Sequence, residues 1–367
     1  MNQTSGSCSL DYQVAAHLSD VLRIAAEWDL LLERSLCNRA FSSSKWFIGA
    51  CRADSALSPH LLIARRAGSI VGVLPLALNR DERILQFPSG LCDYNDVVVA
   101  RGDEDVAVGL LLYAMSGGHG YDRAMLEHIR EDSNCAGAMA VIGNGREVTG
   151  SGLRERAFYI PLGLGYEEYV KARSPQLRKS LVKALRRASD NNISVQELRT
   201  ASFAPADLPN LFLELHLKRF AGRTQFELPL RQSFVRDVFP AQFAEGRLKA
   251  FALFDRDKII GIDLCMLGAC SLCSWSGGFL PEAACWSPGA LLTLAEIREA
   301  VAVGLAEYDF LRGSESYKQR WASHSRPVIG FELDLRAPEQ PVASLPSRGD
   351  RAGLRHELGS VRFPDGF

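Results

Sequence analysis

Residues 70–78, IVGVLPLAL, line up with residues 259–267, IIGIDLCML, and each run follows another apolar run across a short polar link. Two strand-like runs joined this way read as a β-hairpin. In the first copy residues 61–66 meet Ala67-Gly68-Ser69; in the second, residues 248–254 meet Asp255-Arg256-Asp257-Lys258. The parallel continues past the hairpins. The first copy goes on to a strand at 96–99, a helix near 104–116 and a strand near 123–129. The second offers a strand at 271–276, a helix at 288–304 and a strand at 307–311. A chain that repeats hairpin, strand, helix and strand folds into two α/β units, because each copy supplies a sheet and a helix to cover it. The expected class is α/β (α+β), with two tandem domains, each a mixed, mostly antiparallel sheet flanked by helices. We place them at 1–160 and 161–336, followed by a Pro-, Gly- and Arg-rich tail at 337–367.

Between the copies, residues 166–220 read as helical. Ser174-Pro175 is an N-cap followed by proline at the first helical position, and Leu177, Leu181 and Leu185 form one apolar stripe. A second helix, 207–220, carries Phe212, His216 and Arg219 on one face. In the later helix, 288–304, Leu294, Ile297, Val301 and Leu305 make the buried face, while Glu296, Arg298 and Glu299 are expected outside.

Composition limits the functional classes. A net charge of −1 over 367 residues supplies no general field for nucleic acid or acidic membrane. The start, MNQTSGSCSLDYQ, lacks the pattern of a signal peptide, and no run approaches the roughly 20 apolar residues of a membrane span. The expectation is a cytoplasmic protein. Nine scattered cysteines suit buried thiols in a reducing compartment. Cys270 and Cys273 form a lone CxxC without a second pair or a histidine at ligand spacing, so we read it as a turn entering a strand and expect no metal.

Chemistry concentrates in residues 287–323, SPGALLTLAEIREAVAVGLAEYDFLRGSESYKQRWAS. The free N–H groups of a helix opening at Ser287-Pro288-Gly289 can hold a phosphate. The strand Tyr308-Asp309-Phe310-Leu311 then delivers Arg312, Glu315, Tyr317 and Lys318. An SPGxLL helix followed by YDFLRGxExYKxRW resembles the cellulose-biosynthesis-associated acetyltransferases typified by CelD/BcsL proteins, a branch of the GNAT (GCN5-related N-acetyltransferase) superfamily. The resemblance is strongest over 249–323. In layout the chain is also similar to the Fem aminoacyltransferases, which carry two GNAT-like domains. With the repeat, the resemblance suggests two GNAT-like units, and because the first has no SPGALL and no YDFLRG, that copy is expected to be degenerate or acceptor-binding. It further implies an acyl-CoA co-substrate, with no tightly bound cofactor, lying in the gap between the strands at 271–276 and 308–311. Its pyrophosphate would sit on 286–291, where Ser287, Gly289, Ala290 and Leu291 are the candidate contacts and CWSPGAL replaces the usual (Q/R)xxGxG/A.

Acyl transfer to an amine needs a base, donors for the oxyanion and an acid for the leaving thiolate. Tyr317 occupies the place where a GNAT fold commonly has its tyrosine acid, or packs beneath the helix. Asp263 stands where the first copy has Leu74; it is either a buried base with a raised pKa or an outward polar residue. His216 is a second base candidate, or a half-buried, hydrogen-bonded histidine. Glu315 joins the catalytic candidates, or pairs with Arg312 to hold the loop. Arg219, Asp309, Arg312, Lys318 and Trp321 are candidate substrate contacts, and Trp275 a candidate lining of the acyl slot, with core packing the alternative for both tryptophans. The basic residues Arg178, Lys179, Lys183, Arg186 and Arg187 can meet the 3′-phosphate of CoA, a tRNA backbone or solvent. The expected activity is acyl-CoA-dependent transfer to an amine of a small molecule, sugar or amino acid. The alternatives are a charged-tRNA donor, or a non-catalytic partner in exopolysaccharide or metabolite biosynthesis.

Overall fold

The computed structural model describes residues 9–88, 91–116, 121–143 and 149–335, so the tail expected at 337–367 lies outside it. The first copy runs β1 (Leu10–Ala15), α1 (Leu18–Leu32), α2 (Ser44–Ala53), β2 (Leu57–Arg66), β3 (Ser69–Asn79), β4 (Ile84–Gln86), β5 (Val98–Val99), α3 (Glu104–Met115), β6 (Arg123–Arg130), α4 (Asn134–Gly143) and β7 (Thr149–Pro161). After α5 (Tyr166–Lys171) and α6 (Pro175–Asp190) the same order returns. It comprises β8 (Ile193–Leu198), α7 (Leu208–Phe220), α8 (Pro229–Ala244), β9 (Leu248–Asp255), β10 (Lys258–Leu267), β11 (Ser271–Phe279), α9 (Pro288–Ala302), β12 (Glu307–Arg312), α10 (Ser316–Trp321) and β13 (His324–Asp334).

Both hairpins form as the sequence predicts. Ala67 and Gly68 take positive φ between β2 and β3, and Arg256 does so between β9 and β10, as tight hairpin links require. Three expectations change. Residues 193–198 lie within the segment read as helical but form an edge strand on β9 with alternating burial, because ISVQEL alternates and carries β-branched residues. Leu185 is 43% exposed, so the buried stripe of α6 is Leu177, Leu181, Ala184 and Ala188. The strand expected at 96–99 shrinks to β5, and the parallel partner of β6 is β4.

All 13 strands of the described residues join one sheet, in the order β1-β2-β3-β4-β6-β13-β7-β12-β11-β10-β9-β8, with β5 beside β3. The copies exchange their last strands. β13 enters between β6 and β7, while β7 pairs with β12, so each half is completed by the other's strand.

In each copy the parallel pair that follows the hairpin is three residues long. Ser271, Leu272 and Cys273 face Glu307, Tyr308 and Asp309; Ile84, Leu85 and Gln86 face Arg123, Ala124 and Met125. Beyond that the strands part. Each later strand is broken by a non-glycine residue in the left-handed region, Leu311 at φ 61° and His128 at φ 60°. The first gap is filled by the chain itself: Asn95 donates from its backbone to the His128 carbonyl (3.0 Å) and from its side chain to that of Glu127 (2.9 Å), and His128 Nδ1 meets the Cys92 carbonyl (3.0 Å). Among the described residues no backbone hydrogen bond spans the second gap, between β11 and β12.

Candidate functional site

The second gap opens because Asp309 holds β12 in its kink. Its carboxylate accepts the Leu311 N–H (2.7 Å), the Tyr94 hydroxyl (3.0 Å) and the Arg326 guanidinium (3.0 Å), and the side chain is fully buried. A bulky residue in the left-handed region is costly and persists where its surroundings over-determine it. Asp309 is thus buried with its oxygens already committed, to Tyr94 of the first copy as well as to Leu311 and Arg326 of the second.

Tyr308 and Phe310 project to the opposite face, toward α9. Tyr308, Phe310 and Tyr317 form an edge-to-face series with ring centroids 5.0 and 6.1 Å apart. Tyr317 remains 42% exposed. Burial of its hydroxyl, with the Asp263, Glu315 and Glu296 carboxyls nearby, pushes its pKa above the ordinary phenolic value. Such a phenol stays protonated at neutral pH, as an acid must.

Asp263 lies across from it on β10, at the pair with Gly277 of β11. A Cβ at Gly277 would stand 2.5 Å from the Ile262 carbonyl oxygen and 2.8 Å from Asp263 Oδ1, so glycine is required where β11 passes this carboxyl. The Leu264 N–H donates to Oδ1 (3.0 Å), and burial lifts the pKa to about 6 against the pull of that amide, Glu296, Arg219 and Ser274. The neighbour on α9 is Glu296, expected outside and found completely buried. Tyr308 donates its hydroxyl to Glu296 Oε2. Burial first, and the Asp263 charge second, hold the Glu296 carboxyl well above its usual range.

His216 sits on α7, whose backbone packs directly on Gly278; a Cβ there would be 2.4 Å from the His216 nitrogen. Both ring nitrogens are engaged, Nδ1 with the Gly277 carbonyl and Nε2 with the Thr224 hydroxyl, each at 2.9 Å. Burial lowers its pKa to about 4, so the ring is neutral but has no free lone pair. Arg219, one turn on, lies over the Phe279 ring at 3.9 Å, and the Asp263 charge lies within its electrostatic reach.

The remaining candidates are structural in their contacts. Lys318 is buried, bonded to the Arg312 carbonyl and paired with Glu315 (3.0 Å). Arg312 bridges Asp93 (3.3 Å) and Glu155 (2.9 Å). Trp321 is buried, and its carbonyl accepts from Tyr169 and Arg173. Trp275 is the extra residue of a bulge in β11 and packs, mostly edge-to-face, among Trp46, Phe212, Phe226 and Phe239, on the α7–α8 side. At the start of α9, Ser287 has φ 60°, and the Ala290 and Leu291 amides both turn back to its carbonyl. Gly289 borders open space, with nothing within 4 Å of where a Cβ would stand. Of the three amides expected to meet a phosphate, Gly289 is the one not turned back on that carbonyl. Arg187 of α6 bonds the Cys285 carbonyl and ties the basic helix to this loop.

Sequence reasoning missed Glu296 and Tyr308. The Glu at a position flanked by Thr293, Ile297 and Ala300, all turned to the core, was the available signal.

Residues 175–319 match the family described as acetyltransferase (GNAT) domain. No curated protein matches the chain. Among solved structures it is similar to FemX, at 12% identity and TM-score 0.63, covering 88% of this chain and 97% of that one. It is also similar to L-PGS from Bacillus licheniformis (11%, TM-score 0.56, 83% and 90%). A third is the C-terminal domain (DUF2156) of a putative lysylphosphatidylglycerol synthetase from Agrobacterium fabrum (12%, TM-score 0.53, 85% and 92%). At these identities the likeness is one of fold. Among the described residues no helix is long and apolar enough to cross a membrane.

Proposed function

We propose that this chain, an acyltransferase enzyme carrying a GNAT domain, transfers an acyl group from acyl-CoA to an amine in the gap between β11 and β12. The observation that carries the reading is the contrast between the two copies: the first gap is closed by residues 92–95, and the second is not. Pantetheine would run along the splayed edges of β11 and β12, with pyrophosphate at Gly289. The amine nitrogen attacks the thioester carbonyl carbon, and Asp263 accepts the proton it sheds. As the C–S bond breaks, the Tyr317 hydroxyl gives its proton to the departing thiolate; the proton held by Asp263 then passes through solvent to restore the phenol, so no net proton is gained or lost. Arg219 balances the Asp263 charge. The acceptor is a small-molecule, sugar or amino-acid amine, and the cellulose-associated branch remains our placement within the superfamily. Acetyl-CoA at many times its Kd should raise the Tm, since a ligand bound only by the folded state stabilises it; an unchanged Tm would exclude this donor.

A second reading, with aminoacyl-tRNA as donor, is favoured by one observation. On α6, Arg178, Lys179, Lys183 and Arg186 are exposed together with Val182 (66%) and Leu185 (43%), and the helix is fastened beside the start of α9. That donor requires binding of charged tRNA that weakens steeply with salt and is lost on neutralising Arg178, Lys179 and Lys183. Salt-insensitive binding would remove it.

A further inference from the structure

We propose that Glu296 is un-ionised in the folded protein and donates a hydrogen bond to the Asp263 carboxylate, acting as a positioning residue that keeps the base ionised and oriented. The inference rests on the reading of Asp263 as base. Glu296 is completely buried on α9; its Oε2 accepts from Tyr308, and its Oε1 accepts from no group. The Asp263 carboxyl is its close electrostatic neighbour. With Glu296 completely buried and its Oε1 unpartnered beside a second carboxyl, the two disfavour simultaneous ionisation, so at neutral pH they hold one proton between them.

The surroundings decide where it resides. Asp263 faces the Leu264 amide on its own strand, Ser274 on β11, Arg219 on α7, Tyr317 on α10 and Glu296 on α9. The amide and the guanidinium both favour a negative Asp263. Glu296 faces Asp263 and Cys265 on β10, Tyr308 on β12 and Tyr317 on α10, with no cation among them; Lys249 is paired with Glu299 and Glu197, and Arg298 of α9 lies over the Tyr166 ring. The proton therefore belongs to Glu296, and the unaccepting Oε1 is the oxygen left to carry it. Burial and the Asp263 charge push the Glu296 pKa in the direction this requires.

Two variants and a spectrum test this. In Glu296→Gln the amide can donate to Asp263 and accept from Tyr308, whereas Glu296→Leu can do neither. The E296Q enzyme should keep kcat about tenfold or more above that of E296L, with the acid limb of its pH profile at the wild-type position, while E296L moves the limb upward and leaves KM for acyl-CoA unchanged. Equal losses in both variants, or a displaced limb in E296Q, would overturn the proposal. Infrared difference spectra at neutral pH should show the C=O stretch of a protonated carboxyl in the wild type that is absent in E296Q. Absence of that band from the wild type refutes the proposal whatever the activity, and whether or not E296L folds. A band present while Asp263→Asn retains full activity would instead refute Asp263 as base and leave the Glu296 proton in place.

Discussion

Asp263 could be singled out from the chain because a carboxylate replaces the Leu74 of the other copy, a change of chemistry at one position of a repeated strand. Glu296 could not. A glutamate among alternating apolar helix positions reads as solvated, and what buries it is Asp263 and Tyr308, on strands that only the folded sheet brings beside α9. His216 was visible as a residue but not its commitments to Gly277 and Thr224. Tyr317→Phe should lower kcat by about 10²-fold or more with little effect on binding of acyl-CoA, as measured by steady-state kinetics. The wild-type kcat/KM should fall as pH drops through about 6, where burial places Asp263, because the base must be unprotonated. Stability carries the opposite sign. Glu296 has a folded pKa above its unfolded value of 4.5, so the stability it contributes is fully present below 4.5 and declines as pH rises toward the folded value, at up to ~1.4 kcal/mol per unit. The Tm of E296Q relative to wild type should therefore climb with pH from about 4.5 upward. A pH-independent difference would mean that Glu296 titrates normally.

At the scale of elements, the hairpins were legible because alternation and turn residues are local signals, whereas β8 was hidden inside a helical stretch. The kink in β12 was hidden: the local bond from the Leu311 N–H to Asp309 is set by a carboxylate that Tyr94 and Arg326 hold in place from far along the chain. Asp309→Ala leaves the Leu311 N–H and part of the Arg326 charge without a buried acceptor. The expected cost is at least about 2 kcal/mol, read as a lower urea midpoint, together with weaker acyl-CoA binding as the strand relaxes toward β11. A variant that loses neither would show that the kink is held elsewhere.

For the whole molecule, the repeat announced two units, yet it could not announce that they trade their last strands. Because β13 completes the first half and β7 the second, residues 1–160 and 161–335 expressed separately should fail to form stable monomers, and the intact chain should unfold in one calorimetric transition. Two independent transitions would contradict that coupling. The same architecture leaves one gap plugged and one open, and the proposed location of the donor rests on that contrast. Crystals soaked with CoA test this directly: pantetheine density should lie between β11 and β12 with pyrophosphate at Gly289. Density against β6 and residues 92–95 in the first copy, or an empty second gap at saturating CoA, would contradict it.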